Sequence, residues 1–218
     1  ENELDRWFDR LQRLREFVES HPKWSITEMQ LLTANDWLDA TKSATLETEA
    51  DYRQALGLLR HKSKSEVLRN IGEALSKYLA ASNGQLPPNL QQISVYLLQP
   101  IDPAILQRYD LNPAGKVPGL PEVTGERIVV VERTRVDPIW DGTLWISDNG
   151  GVGWIGIDNS NVREVFKWIE DYRRQNGSEP RDTTQMSASV KAKMPPTTLE
   201  EIFNALMARP HANPRPPR

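Results

Sequence analysis

Three tryptophans and three aspartates crowd one short stretch: Asp137, Trp140, Asp141, Trp145, Asp148 and Trp154. Indole faces stack on the apolar faces of sugar rings, and carboxylates accept hydrogen bonds from sugar hydroxyls. The candidate ligand-binding residues are therefore Trp140, Asp141, Trp145 and Trp154, and the ligand they point to is a glycan. The competing reading is that these tryptophans fill the space between a sheet and a helix. Side chains alternate faces along a strand and one face must meet a helix, so this reading is favoured for Trp145 or Trp154. The aspartates also raise glycosidase chemistry, which needs two acids about 5–10 Å apart. Aspartates are common in turns, and nothing in the spacing selects a pair.

Other chemistry-bearing residues are sparse. His21, His61 and His211 each stand alone, without the short ligand spacing of a zinc site. Neither a G-x-S-x-G nucleophile turn nor a glycine-rich phosphate loop occurs. Cysteine is absent, which removes disulfides, thiolate ligands and thiol nucleophiles together. No catalytic residue, metal or cofactor is assigned, and the expected function is non-enzymatic. Arg60, His61, Lys62, Lys64 and Arg69 form the one basic cluster, which reads as a solvated helix face. Residues 1–82 carry 12 basic and 14 acidic side chains, residues 83–174 carry 9 and 12, and residues 175–218 carry 6 and 4. No segment has the basic excess that phosphate neutralisation requires, so nucleic acid is not an expected partner. No run of about 18 apolar residues exists, so no membrane span is expected in this chain.

The elements that would position these residues begin with Leu4, Trp7, Phe8, Leu11, Leu14 and Val18, one apolar stripe that predicts a helix ending at His21-Pro22. Ser25 with Glu28 and Thr33 with Asp36 have capping-box spacing. Thr48 with Asp51 opens a long helical stretch over about 49–81, one helix or two meeting near residue 63. Asn83-Gly84 supplies a left-handed stop and Pro87-Pro88 forbids continuation. Short helices are expected at about 89–98 and 103–108, the second with Asp102 as N-cap and Pro103 at its first position. The period then becomes extended over 127–134, 143–147 and 153–157, the last two a hairpin whose turn uses Gly150, Gly151 and Gly153. Val162, Val165, Phe166, Ile169 and Tyr172 predict a helix over 161–174. A short helix at 198–207 and a proline-rich tail at 209–218 follow.

The fold class is thus α+β: a helical N-terminal part, a long helix, and a small antiparallel sheet covered by the 161–174 helix. Three parts are expected, at 1–82, 83–174 and 175–218. The expected core includes Trp7, Leu11, Leu14, Leu56, Leu59, Ile71, Leu75, Val165, Phe166 and Ile169.

Ser147-x-Asn149-x-Gly151-x-x-Trp154 resembles the Asp-box of sialidases and other β-propellers, with asparagine in place of the usual aspartate. The resemblance implies polar side chains bracing a hairpin turn, with the tryptophan packed beneath it. Leu31-Leu32-Thr33-x-x-Asp36-Trp37-Leu38, Leu46-Glu47-Thr48-Glu49-x-Asp51-Tyr52-Arg53-x-Ala55-Leu56, Ala74-Leu75-x-x-Tyr78 with Asn83-Gly84-Gln85-x-Pro87, and Pro100-Ile101-Asp102-x-Ala104-Ile105-Leu106-Gln107-Arg108-Tyr109 together resemble, over residues 25–112, an uncharacterised bacterial family. Some of its members look like distal parts of membrane-anchored or sigma-factor-fused proteins. Ala74-Leu75-x-x-Tyr78 followed by Asn83-Gly84-Gln85-x-Pro87 is similar in outline to pseudopilins, where a long helix leads into a small sheet. These resemblances imply a binding or assembly module of a larger bacterial, envelope-associated protein. Its partner would be a protein or, alternatively, a glycan such as peptidoglycan. A second copy of the chain is a further candidate, and an extracytoplasmic setting is slightly favoured over a cytoplasmic one.

Overall fold

One helix, α3 (Glu49–Ala81), organises the first half of the molecule. In the computed structural model, which describes residues 3–42, 44–117, 126–137, 139–155 and 159–207, it runs unbroken for 33 residues. At 1.5 Å per residue that is about 50 Å, and the two-helix alternative falls away. A capping box fixes its start: the Thr48 side chain accepts the Asp51 N–H, and the Asp51 carboxylate takes the Thr48 N–H at 2.9 Å. Asn83 and Gly84 fix its end at φ 54° and 80°, and the Gly84 N–H bonds the Leu79 carbonyl. Ahead of it lie α1 (Glu3–Ser20), 3-10 turns at Pro22–Trp24 and Thr27–Leu31, and α2 (Ala34–Lys42). Thr33 and Asp36 close the reciprocal box that their spacing predicts. Ser25 and Glu28 do not, because Ser25 ends a 3-10 turn and Glu28 is buried in a bond to Arg108.

After α3 come a 3-10 helix at Leu90–Tyr96 and the single turn α4 (Pro103–Leu106), capped by Asp102. The sheet is an antiparallel meander of β1 (Tyr109–Leu111), β2 (Ile128–Glu132), β3 (Thr143–Ser147) and β4 (Val152–Ile155), hydrogen-bonded in chain order. Three-residue β1 is too short for alternation to show in the sequence. Leu144 and Ile146 of β3 join Val129 and Val130 of β2 and Val67, Leu68, Ile71 and Leu75 of α3 in one buried cluster. The long helix is therefore the cover that this cluster shows for the sheet, a role the sequence reading gives to the helix at 161–174.

The other end of α3 serves a different cluster. Ala55, Leu56 and Leu59 pack with Leu14 of α1, Met29, Ala40 of α2 and Leu46. Two glycines inside α3 let backbone come close. A Cβ on Gly57 would lie 2.5 Å from the Trp140 carbonyl oxygen, and one on Gly72 would lie 2.6 Å from that of Gly150. The α1 stripe is only partly used: Leu14 is buried and Trp7 and Leu11 half-buried, while Leu4 and Phe8 lie exposed.

The chain divides into two compact units, Glu1–Ile155 and Gly156–Arg218. The described part of the second unit is helical, with α5 (Asn159–Asn176), α6 (Ala188–Lys191) and α7 (Pro196–Met207) and a 3-10 turn at Thr183–Gln185. Helix α5 packs on α7, bringing Trp168 to 6.5 Å from Phe203, and Tyr172 accepts a hydrogen bond from Gln185. The proline-rich tail at 209–218 lies outside the described residues.

Candidate functional site

Strand register decides how the four candidate ligand residues stand. Trp145 pairs with Gly153 and Leu144 with Trp154, so the two indoles project from opposite faces of the sheet. Trp145 is 6% exposed and lies across Gly153, where an added Cβ would come within 2.4 Å of its ring. Trp154 is 59% exposed, with its ring edge-on to His61 at 5.0 Å. Trp140 is half-buried, its backbone against Gly57 of α3. Asp141 is 2% exposed and fully engaged with Arg60 and Lys64. Of the three indoles, that of Trp154 is the open one, and the Asp141 carboxylate is internal. Trp154 is also not packed beneath its turn, because it sits on edge strand β4, where α3 offers the imidazole of His61.

The turn itself is braced as its residue pattern implies. Ser147 Oγ donates to Asn149 Oδ1 at 2.6 Å, and the same oxygen takes the Gly151 N–H at 2.8 Å. Gly150 at φ 84° returns its N–H to the Ser147 carbonyl.

The strongest electrostatic feature lies along α3. Arg53, Gly57, Arg60 and Lys64 follow at steps of four, three and four, so they share one helix face. Arg53 clasps Asp137 with two bonds, at 2.7 and 3.0 Å. Arg60 Nε reaches both oxygens of Asp141 at 2.8 and 3.0 Å, and Nη1 bonds the Trp24 carbonyl at 2.8 Å. Its Nη2 comes within 2.7 Å of Asp141 without the alignment of a hydrogen bond. Lys64 Nζ lies 2.7 Å from Glu132 and 3.5 Å from Asp141. Arg108 joins Glu28 at 2.8 Å to Glu132 at 3.1 Å, and the Tyr109 hydroxyl donates to Glu28. Four cations and four carboxylates thus neutralise one another inside the unit. The cluster read as a solvated face is split: Arg60 and Lys64 are fully buried, while Lys62 and Arg69 remain outside.

The proton affinities follow from this burial. Burial raises the Glu132 carboxyl, and Lys64 and Arg108 offset only part of the rise. Burial acts on Asp141 in the same sense, but Arg60, Lys64 and hydrogen bonds outweigh it and hold that carboxyl below the usual range. The Tyr109 phenol is pushed far up by burial and by the charge of Glu28. Burial, then Lys64, lowers the affinity of His61 for a proton. Among the described residues no group of three or more His, Cys, Asp or Glu is arranged to hold a metal, and no helix is long and apolar enough to cross a membrane.

No family model, curated protein or solved structure matches this chain. The site must speak for itself.

A further open concavity lies elsewhere in the first unit. A groove of about 540 Å³ runs between the 3-10 turn at Thr27–Leu31, one flank of α3 and residues 98–102. That volume is within the range of roughly 300–1,000 Å³ common to ligand clefts. Asn70 builds one wall: its Nδ2 donates to the Gln99 carbonyl at 2.9 Å and its Oδ1 accepts the Leu98 N–H at 3.0 Å. With its backbone pinned this way, Leu98 leaves its side chain 63% exposed on one lip, and Leu31, 52% exposed, stands among the groove's other lining residues. Val67 and Ile105 are buried beneath. Neither the groove nor the charge ladder was identified from sequence. The ladder had a readable signal, since its basic residues occupy the register that Leu68, Ile71 and Leu75 continue as core. The groove had none, because its walls come from three stretches of chain far apart in sequence.

Proposed function

We propose that the first unit is a non-enzymatic binding module that receives a partner protein in the groove between α3 and residues 98–102. The observation that carries this reading is the pair of exposed leucines, Leu31 and Leu98, on a groove whose wall Asn70 fixes in place. Exposed large apolar side chains around a concavity cost nothing to desolvate and supply the anchors that dominate binding energy. The ionisable groups gathered near the sheet support the non-catalytic half of the reading, because they are spent on each other in the interior rather than presented to a substrate. The wider setting proposed, a larger bacterial envelope-associated assembly, rests on the resemblance of residues 25–112. The glycan alternative retains only Trp154 as an open indole.

A photo-crosslinking residue at position 98 tests the assignment in living cells. Position 98 should give a discrete higher-mass adduct, and the same residue at exposed Lys77 on α3 should not. No adduct at 98, or equal adducts at both positions, would remove the groove from the function.

A further inference from the structure

Resting on that groove reading, we infer that the occupant is a cationic amphipathic peptide segment: two large apolar side chains flanked by Lys or Arg. The argument is one of complementarity. Six charged side chains line the groove: Asp36, Lys62, Glu66, Arg69, Glu73 and Asp102. Both cations are consumed by the same carboxylate, since Lys62 Nζ lies 3.3 Å from Glu66 Oε1 and Arg69 Nη1 lies 2.6 Å from Glu66 Oε2. Asp36, Glu73 and Asp102 make no ion pair among the described residues, although the charge of Lys62 adds a minor pull on Asp36. Asp36 stays ionised because the Thr33 hydroxyl and N–H both donate to it. Asp102 accepts the Ala104 N–H at the start of α4 and faces no basic group there. The Glu73 side chain makes no hydrogen bond or ion pair among the described residues and is exposed.

An uncharged or acidic segment would leave these three carboxylates uncompensated as the groove closed over it. A segment bearing Lys or Arg neutralises them, while its apolar side chains cover Leu31 and Leu98 and reach toward Val67 and Ile105. An apolar-only ligand would use the lips and waste the rim, and a small cation would use the rim and leave the leucines wet. Residues 98–99 already lie against this helix face through their bonds to Asn70, so backbone beside α3 is compatible with its surface. Exposed ion pairs of this kind act chiefly on association rate and salt dependence rather than on raw affinity.

The test uses the full chain and a display library of random dodecapeptides, with counter-selection on a chain carrying Leu31→Asp and Leu98→Asp. All three positions changed are exposed, and circular dichroism checks that each variant keeps its fold. Peptides that survive should carry at least two Lys or Arg and two large apolar residues. The leading peptide, labelled and followed by fluorescence anisotropy, should bind about tenfold more weakly to Glu73→Lys, and weaken several-fold as salt rises to where charges screen within about 3 Å. Peptides that need both leucines but are neutral or acidic would overturn the cationic partner and leave the groove reading intact. So would an affinity unchanged by Glu73→Lys. If no recovered peptide depends on the two leucines, the inference and the groove reading fall together.

Discussion

Glu132 and Asp141 share one lysine yet hold their protons differently. Glu132 sits at the end of β2, where burial outweighs the pull of Lys64 and Arg108, and one of its oxygens meets no partner among the described residues. Asp141 gains Arg60 as well as two backbone N–H groups, from Val136 and Asp137, and these carry it the other way. A folded pKa above the unfolded one means that the folded chain keeps a proton the unfolded chain has released. The stability Glu132 contributes is therefore present below the ordinary glutamate value and lost as pH rises through the folded value. His61 works in the opposite sense: its lowered affinity leaves the extra proton on the unfolded chain, so stability grows as pH rises toward the ordinary histidine value. Urea midpoints across about pH 4–8 should separate the two. Glu132→Gln should make stability rise more steeply with pH than in the parent, and His61→Gln less steeply. Identical slopes in all three chains would mean that neither group is held as the structure shows. At this scale the sequence was legible where partners are local. Thr48 and Asp51, or Ser147 and Asn149, find each other within three residues, whereas Glu132 meets Lys64 across the fold and no local pattern announces it.

Helix α3 joins two apolar clusters, and the charge ladder fills the interval between them. Ala55, Leu56 and Leu59 belong to one cluster and Val67, Leu68 and Ile71 to the other, with Arg60 and Lys64 between. Their counter-ions arrive from residues 68 to 81 positions away. Helical periodicity alone therefore reads this interval as polar and exposed, when the register shows it to be core. Removing one partner leaves a buried charge uncompensated, so Asp141→Ala should cost about 3–5 kcal/mol of stability. Adding Arg60→Met should recover part of that loss, and the remainder measures what Lys64 and the two backbone N–H groups draw from Asp141. A loss for Asp141→Ala below about 1 kcal/mol, the scale of a surface pair, would show that water reaches the ladder. Gly57 gives a second check. In an exposed helix Gly→Ala gains roughly 1 kcal/mol. Here the new methyl would lie 2.5 Å from the Trp140 carbonyl oxygen, so Gly57→Ala should instead destabilise by about 1–3 kcal/mol. A higher melting temperature would mean that the 137–141 loop yields freely.

At the scale of the whole molecule, the α+β class was legible because the apolar period visibly changes from helical to extended near residue 127. A change of period resembles a domain boundary, yet α3 contributes to both clusters, and the sheet's apolar face is closed by Val67, Leu68, Ile71 and Leu75 of that same helix. A cut after residue 82 would strip the sheet of this cover and leave the Arg53–Lys64 face without any of the carboxylates from residues 132–141. A cut after Ile155 removes no residue from either cluster, none of the eight paired charges and none of the groove. Residues 1–155 should therefore fold alone, with a single cooperative urea transition followed by tryptophan fluorescence and far-ultraviolet circular dichroism together. Residues 1–82 should not: three cations on the buried face, Arg53, Arg60 and Lys64, without partners and an uncovered apolar half-helix predict a loose chain that binds a hydrophobic dye. If 1–82 unfolds cooperatively and 1–155 does not, the helix, and not the sheet that it covers, carries the stability of this unit, and the ladder ceases to be what joins them.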